Sequence, residues 1–232
     1  MWYNGGKIRI SKRIAPILQE SADKTGKFAD LFCGGCNIID KISANERIAN
    51  DIHYELISMW EKLRDGWIPE RLEYNKEFYN EVKDNRNNYY PEIVGLVGFH
   101  YSYGGKYFGG YAKSRYEDHI ERSINKTVQQ AELLKDVRFY NKDYQEFSNL
   151  KGWTIYCDPP YIKSTQKSTR YGVEFDHDEF WNWCRKISKE NDVFISEKES
   201  PDDFEKIWEH AHNSNMQYNG TKKTSEKLFK IT

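Results

Sequence analysis

The chain of 232 residues is long enough for one generous domain, or for a core domain with a sizeable insertion. A formal net charge of −1 excludes a polycation that grips nucleic acid through its global field, so any such contact must come from local basic patches. Cys33, Cys36, Cys157 and Cys184 are too few and too uneven for a disulfide scaffold, and no apolar run reaches the roughly 18 residues of a membrane span. A soluble protein of a reducing cytoplasm is the expectation, with no membrane partner. Aromatic residues make up 16% of the chain, so tyrosine and tryptophan should carry much of the burial and leave some rings on a working surface.

In chain order, Gly5-Gly6-Lys7 comes first. Phe28-Ala29-Asp30-Leu31-Phe32 then alternates as a short strand should and runs into Cys33-Gly34-Gly35-Cys36-Asn37, where glycines permit a tight turn and close backbone approach by a ligand. The apolar rhythm of Ile38–Ile42 suggests a helix. Arg47–Asn50 predicts a second strand that ends at the acid Asp51. Strand, glycine turn, helix, strand and terminal acid form half of a nucleotide-binding βαβ unit, whose acid would accept hydrogen bonds from ribose hydroxyls. The G-x-G-x-x-G spacing that cradles a pyrophosphate is absent, so adenosine without phosphates fits better.

Helix formers dominate Tyr54–Asn85, and Glu117–Lys135 repeats apolar residues at helical spacing. These segments predict a helical insert, since the stretch from Asp51 to Asp143 exceeds any single crossover. Between them runs an aromatic, glycine-rich and positive segment, His100–Arg115, with no acid in it. Its Tyr107 offers a ring for stacking on a base, and Lys106, Lys113 and Arg115 offer cations for phosphates. Val137–Tyr144 reads as a strand with the acid Asp143 near its end. Trp153–Cys157 is a buried strand leading into Asp158-Pro159-Pro160-Tyr161. Two prolines end strand pairing and stiffen the backbone, which lets a carboxylate, a carbonyl and an aromatic face meet one planar amine. A second basic segment follows, with Lys163, Lys167 and Arg170. Beyond it, Phe180–Ile187 predicts a helix, Asp192–Glu197 a strand, Phe204–His212 a further helix and Lys227–Ile231 a last strand.

Gly5-Gly6-Lys7, Asp30-Leu31-Phe32-Cys33-Gly34-Gly35, Asn50-Asp51 and Asp158-Pro159-Pro160-Tyr161, in that order, resemble the motifs of the Dam-like (D12 class) adenine-N6 DNA methyltransferases. The resemblance covers nearly the whole chain. It implies a Rossmann-like α/β sandwich with a mostly parallel sheet, in which residues 1–53 and 136–232 bind S-adenosylmethionine and catalyse transfer. Residues 54–135 would be a helical target-recognition insert that binds double-stranded DNA. Tyr3, Gly6, Lys7, Asp30, Phe32, Cys33, Gly34, Gly35, Asp51, Asp143, Tyr144 and Asp158 would then lie against the cofactor, although Asp30 falls inside its strand. Asp158, Pro159, Pro160 and Tyr161 would form the catalytic corner around a base flipped out of the duplex. Lys106, Tyr107, Lys113, Arg115, Lys163, Lys167 and Arg170 would bind DNA. One departure stands out: the family motif is commonly F-x-G-x-G, whereas this chain has Cys36 at the last position.

Zinc at the Cys33-x-x-Cys36 pair would need a third and fourth ligand at suitable spacing, which the sequence lacks, so no metal is expected; a thioredoxin-like redox role would place the pair at a helix N-terminus, which the pattern allows but does not favour. The open alternatives are cytosine N4 or an RNA base as acceptor, and a DNA-binding relic without catalysis. Aspartate at the head of the catalytic motif favours adenine over cytosine. No nuclease motif is evident, so a restriction endonuclease partner, if any, would be a separate chain in the bacterial or phage-infected cytoplasm.

Overall fold

The computed structural model describes residues 1–69, 72–113, 119–161, 175–214 and 222–231. A seven-stranded mixed sheet runs through them in the order β3-β2-β1-β4-β5-β7-β6. Its five parallel strands are β1 (Lys27–Asp30), β2 (Glu46–Asn50), β3 (Val137–Tyr140), β4 (Thr154–Cys157) and β5 (Asp192–Glu197). An antiparallel pair, β6 (Phe204–Ser214) and β7 (Lys222–Ile231), closes the β5 side. The expected α/β sandwich with a mostly parallel sheet is therefore the fold of this chain.

Parallel strands buried on both faces read as near-continuous apolar runs. Here each strand divides its residues between two cores. Phe28, Ala49, Tyr156 and Phe194 face one cluster, which also takes up Leu18 of α1 (Ser11–Thr25) and the insert helices. Their neighbours Ala29, Ile48, Ile155 and Val193 face the other, under α6 (His177–Ile187). The helices α2 (Tyr54–Arg64), α3 (Lys76–Asp84), α4 (Pro91–His100) and α5 (His119–Ala131) all fall between β2 and β3. They share the first cluster with the sheet rather than building a separate core, and Trp60 of α2 stacks on Phe139 of β3 with centroids 6.5 Å apart. Helices α2 and α4 pack so closely that a Cβ on Gly95 would stand 2.2 Å from the Glu55 carbonyl oxygen.

Three expected elements differ. Phe204–His212 is strand β6, not a helix. A bulge between Lys206 and Trp208 shifts its register against β7 by one residue. That extra residue sends Phe204 and Trp208 to opposite cores, so the period-two signal is broken in the sequence. Ile38–Ile42 makes only one 3-10 turn, Ile39–Lys41. Arg47 explains why: its guanidinium donates to the carbonyls of Ile39 and Ile42, at 3.1 Å each, and so satisfies groups that a longer helix would have used. The strand expected over Val137–Tyr144 stops at Tyr140, and a 3-10 turn follows over Tyr144–Phe147.

Candidate active site

In a parallel sheet, ligands collect beyond the carboxyl ends of the strands, where the strand order reverses. That point here is β1, which pairs with β2 on one side and β4 on the other. Two sequence segments from distant parts of the chain meet there: the glycine turn after β1 and the Asp158 corner after β4.

The glycine turn is braced from three sides. Asp51 accepts from the backbone N–H of Gly34 at 3.0 Å and from that of His53 at 3.0 Å. Trp60 donates its indole N–H to the Gly34 carbonyl at 2.9 Å. Tyr3 covers the turn so tightly that a Cβ on Gly34 would stand 2.7 Å from its ring, and Gly34 itself has φ +46°. Asn50 ties the strand ends together, since its amide donates to the carbonyls of Leu31 and Lys142 and its side-chain oxygen accepts from the Lys142 N–H. Cys36 adopts φ +52°, the left-handed region that favours glycine, which gives a backbone reason for glycine at this position in the family motif. Cys33 and Cys36 are both buried, with their thiols hydrogen-bonded to each other and burial pushing both up, so neither is a ready thiolate. Among the described residues no cluster of three or more His, Cys, Asp and Glu side chains could hold a metal ion.

Asp30 projects into the cleft between the two segments. It is 1% exposed, accepts from the backbone of Phe32, and leaves Oδ1 without a hydrogen-bond partner among the described residues. Burial and then the nearby Asp158 charge push its carboxyl well above the usual carboxylate range. The cleft around it is lined by Tyr3, Gly6, Lys7, Gly34, Tyr156 and Asp158, among others.

At the Asp158 corner, Lys7 donates to Asp158 Oδ1 at 2.7 Å and lies 4.7 Å from the Tyr161 ring centroid. The N-terminal glycine segment thus delivers a nearly buried cation to the diproline motif. Tyr161 donates its hydroxyl to Glu226 of β7 at 2.6 Å, and Lys198 stands 5.5 Å from the same ring. Burial, then the negative charges of Asp158 and Glu226, hold the Tyr161 phenol well above its ordinary value.

Some anticipated residues lie apart from this cleft. Asp143 is exposed and caps the following 3-10 turn by accepting from the Gln145 N–H at 2.9 Å. Tyr144 is buried among Phe32, Phe175, Phe180 and Trp183. The Tyr107 ring is packed edge-on against His53 at 4.3 Å and tilted against Phe99 at 5.1 Å. Lys106 and Lys113 are exposed, while Arg115, Lys163, Lys167 and Arg170 lie outside the described residues. The Tyr/Gly segment touches the N-terminal strap, where the Asn4 N–H donates to the Gly105 carbonyl at 3.2 Å. Sequence reasoning missed Trp60, Tyr156, Lys198 and Glu226. It also missed Ile52, which is 57% exposed immediately after Asp51.

A family profile described as D12 class N6 adenine-specific DNA methyltransferase matches residues 3–221. The chain belongs to that family. It is 25% identical over 189 residues to the Type II methyltransferase M.FokI of Planomicrobium okeanokoites. That match takes in 70% of this chain and 29% of M.FokI, so the chain spans under a third of its relative's length. Two solved methyltransferase structures align over most of the chain. One, from Pyrococcus horikoshii and described as an RNA methyltransferase, gives a TM-score of 0.39 at 12% identity over 95% of this chain and 81% of its own. The other, yhhF of Escherichia coli, gives 0.32 at 10% identity over 96% and 81%. The fold assignment rests on strand order and register, not on those superpositions. No helix among the described residues is long and apolar enough to cross a membrane.

Proposed function

We propose that this protein transfers a methyl group from S-adenosylmethionine to adenine N6 in double-stranded DNA. The observation that carries the reading is the shared cleft: Asp158 and the glycine turn line it together, with Asp30 between them holding an oxygen that no group among the described residues satisfies. A buried acceptor left open in this way suits the ammonium group of the cofactor's methionine part. Asp51, the acid at the end of β2 that also fixes the Gly34 N–H of the glycine turn, is placed to accept from ribose hydroxyls. Exposed Ile52 offers an apolar lip for the adenine ring.

Bound S-adenosylmethionine supplies an electrophilic methyl group on a sulfonium sulfur. The acceptor amine is a poor nucleophile because its lone pair conjugates into the purine. Asp158 and the Pro159 carbonyl accept hydrogen bonds from it and draw it toward sp³ geometry, while Tyr161 stacks on the base for roughly 1–3 kcal/mol. The N6 lone pair then forms the N–C bond as the S–C bond breaks, and N6 sheds one proton to Asp158 or water. Positioning and charge complementarity supply the rate, and no strong base is needed. A base in the duplex must first be flipped out, at a few kcal/mol.

Residues 1–53 and 136–232 serve as the catalytic unit in this reading, and the helices of 54–135 carry target recognition. Lys106 and Lys113 meet phosphates. Exposed Tyr103, at 78%, has a freer ring than Tyr107 for contact with a base or sugar. Transfer of labelled methyl groups to DNA, followed by mass analysis of the nucleosides, tests the acceptor. Asp158→Ala should abolish transfer while cofactor binding persists; N4-methylcytosine as product, or an active Asp158→Ala, defeats the proposal.

A further inference from the structure

One residue of the corner lies beyond the part of the chain that matches the family. Glu226 sits on β7, past residue 221, and antiparallel pairing (Glu197 opposite Lys227) carries this end of β7 over the carboxyl end of β5. A single oxygen, Oε2, accepts from the Tyr161 hydroxyl at 2.6 Å and lies 3.6 Å from Lys7 Nζ. Lys7 donates at the same time to Asp158 at 2.7 Å. Two carboxylates therefore share one ammonium whose side chain is only 6% exposed.

We propose that Glu226 is a positioning residue: it fixes the Tyr161 ring and gives Lys7 a second anchor, so that Asp158 can turn to the substrate amine. This rests on the reading of Asp158–Tyr161 as the methyl-acceptor corner. The physical need is plain. Asp158 spends Oδ1 on Lys7, and an incoming amine competes for that acceptor. A buried ammonium that loses its only counter-ion is left unpaired in a poorly solvated site, so it resists the exchange. With Glu226 already 3.6 Å away, a shift of under an ångström replaces one ion pair with another, and net charge in the corner stays constant. The same carboxylate holds the phenol, so the ring that stacks on the base and the cation that releases Asp158 are set by one group.

Glu226→Gln keeps the shape and removes the charge. In single-turnover assays of the full chain on DNA, it should slow methyl transfer at least ~10-fold while the cofactor Kd changes less than ~2-fold. Glu226→Asp should recover part of the rate. In a Lys7→Met background the added Glu226→Gln change should have an effect under ~3-fold, because its partner is already gone. Wild-type rates in Glu226→Gln, an equal loss in both backgrounds, or a parallel loss of cofactor affinity would each overturn the inference. If the wild-type protein transfers no methyl group to any DNA, the reading of the corner falls and takes this inference with it. If the wild type is active and Glu226→Gln matches it, the reading stands and only the role of Glu226 is lost.

Discussion

Asp30→Asn separates what the buried acid does for binding from what it does to stability. Fully buried and beside Asp158, the Asp30 carboxyl has its folded-state pKa raised well above the ordinary Asp value. The unfolded chain releases the proton near pH 3.9, whereas the folded chain retains it to higher pH. Between those limits the folded state binds more protons, so stability falls as pH rises from about 3.9 through the folded pKa. Each pH unit inside the window is worth about 1.4 kcal/mol, which caps the penalty at pH 7 near 4 kcal/mol. Asparagine has nearly the same shape, still accepts from the Phe32 backbone and carries no proton penalty. Its amide N–H groups bring their own cost of about 1–3 kcal/mol when buried without partners. The pH dependence of the difference is therefore the clean quantity.

Urea denaturation of wild type and Asp30→Asn at pH 5 and pH 7 measures it. The balance should shift toward the variant as pH rises across that interval. The same change should weaken S-adenosylmethionine by at least ~10-fold, because an arriving ammonium favours the ionised Asp30 carboxylate, a charge that an amide cannot supply. A stability difference that stays flat between the two pH values would refute the claim that burial raises the pKa of this acid. Tighter cofactor binding by the variant would refute its assignment to the ammonium.

Gly34→Ala should destabilise by roughly 2–3 kcal/mol, from about 1–2 kcal/mol for alanine in the left-handed region plus displacement of the Tyr3 ring that its Cβ would strike at 2.7 Å; an unchanged urea midpoint would contradict the close approach. His53 and His100 are pushed down to about 3 by burial, and His53 Nδ1 must stay unprotonated to accept from the Leu56 N–H at the start of α2. The 3.4 Å approach of Glu55 to that neutral ring is accordingly no ion pair. Their stabilising effect is complete above pH 6.5 and is lost as pH falls toward 3. Relative to His100→Gln, the wild type should lose about 2 kcal/mol between pH 6.5 and 5, and parallel stability curves for the two proteins would disprove it.

The residues that could be read from sequence are those whose chemistry is local. Asp158-Pro159-Pro160-Tyr161 declares a rigid corner because proline fixes φ whatever surrounds it, β4 announces itself by the apolar run that both faces of a parallel sheet require, and β1 by its alternation into the glycine turn. Even the departure at Cys36 was legible as an oddity, though only the φ of +52° supplies its backbone cause. What stayed hidden depends on pairing across the sheet. β6 looked helical because one bulge spoils its alternation, and the shortness of the turn at Ile39–Lys41 is decided by the Arg47 guanidinium from the next strand. Lys7 and Glu226 are the sharper case. They stand 151 and 68 residues from Asp158 in the chain, so no motif window holds all three. Yet the acceptor corner is electrostatically incomplete without them: a carboxylate beside a stacking ring can be named from four consecutive letters, but the cation that occupies it is brought by the N-terminal glycine segment, and the second acid that shares that cation by the antiparallel return of β7 beside β5.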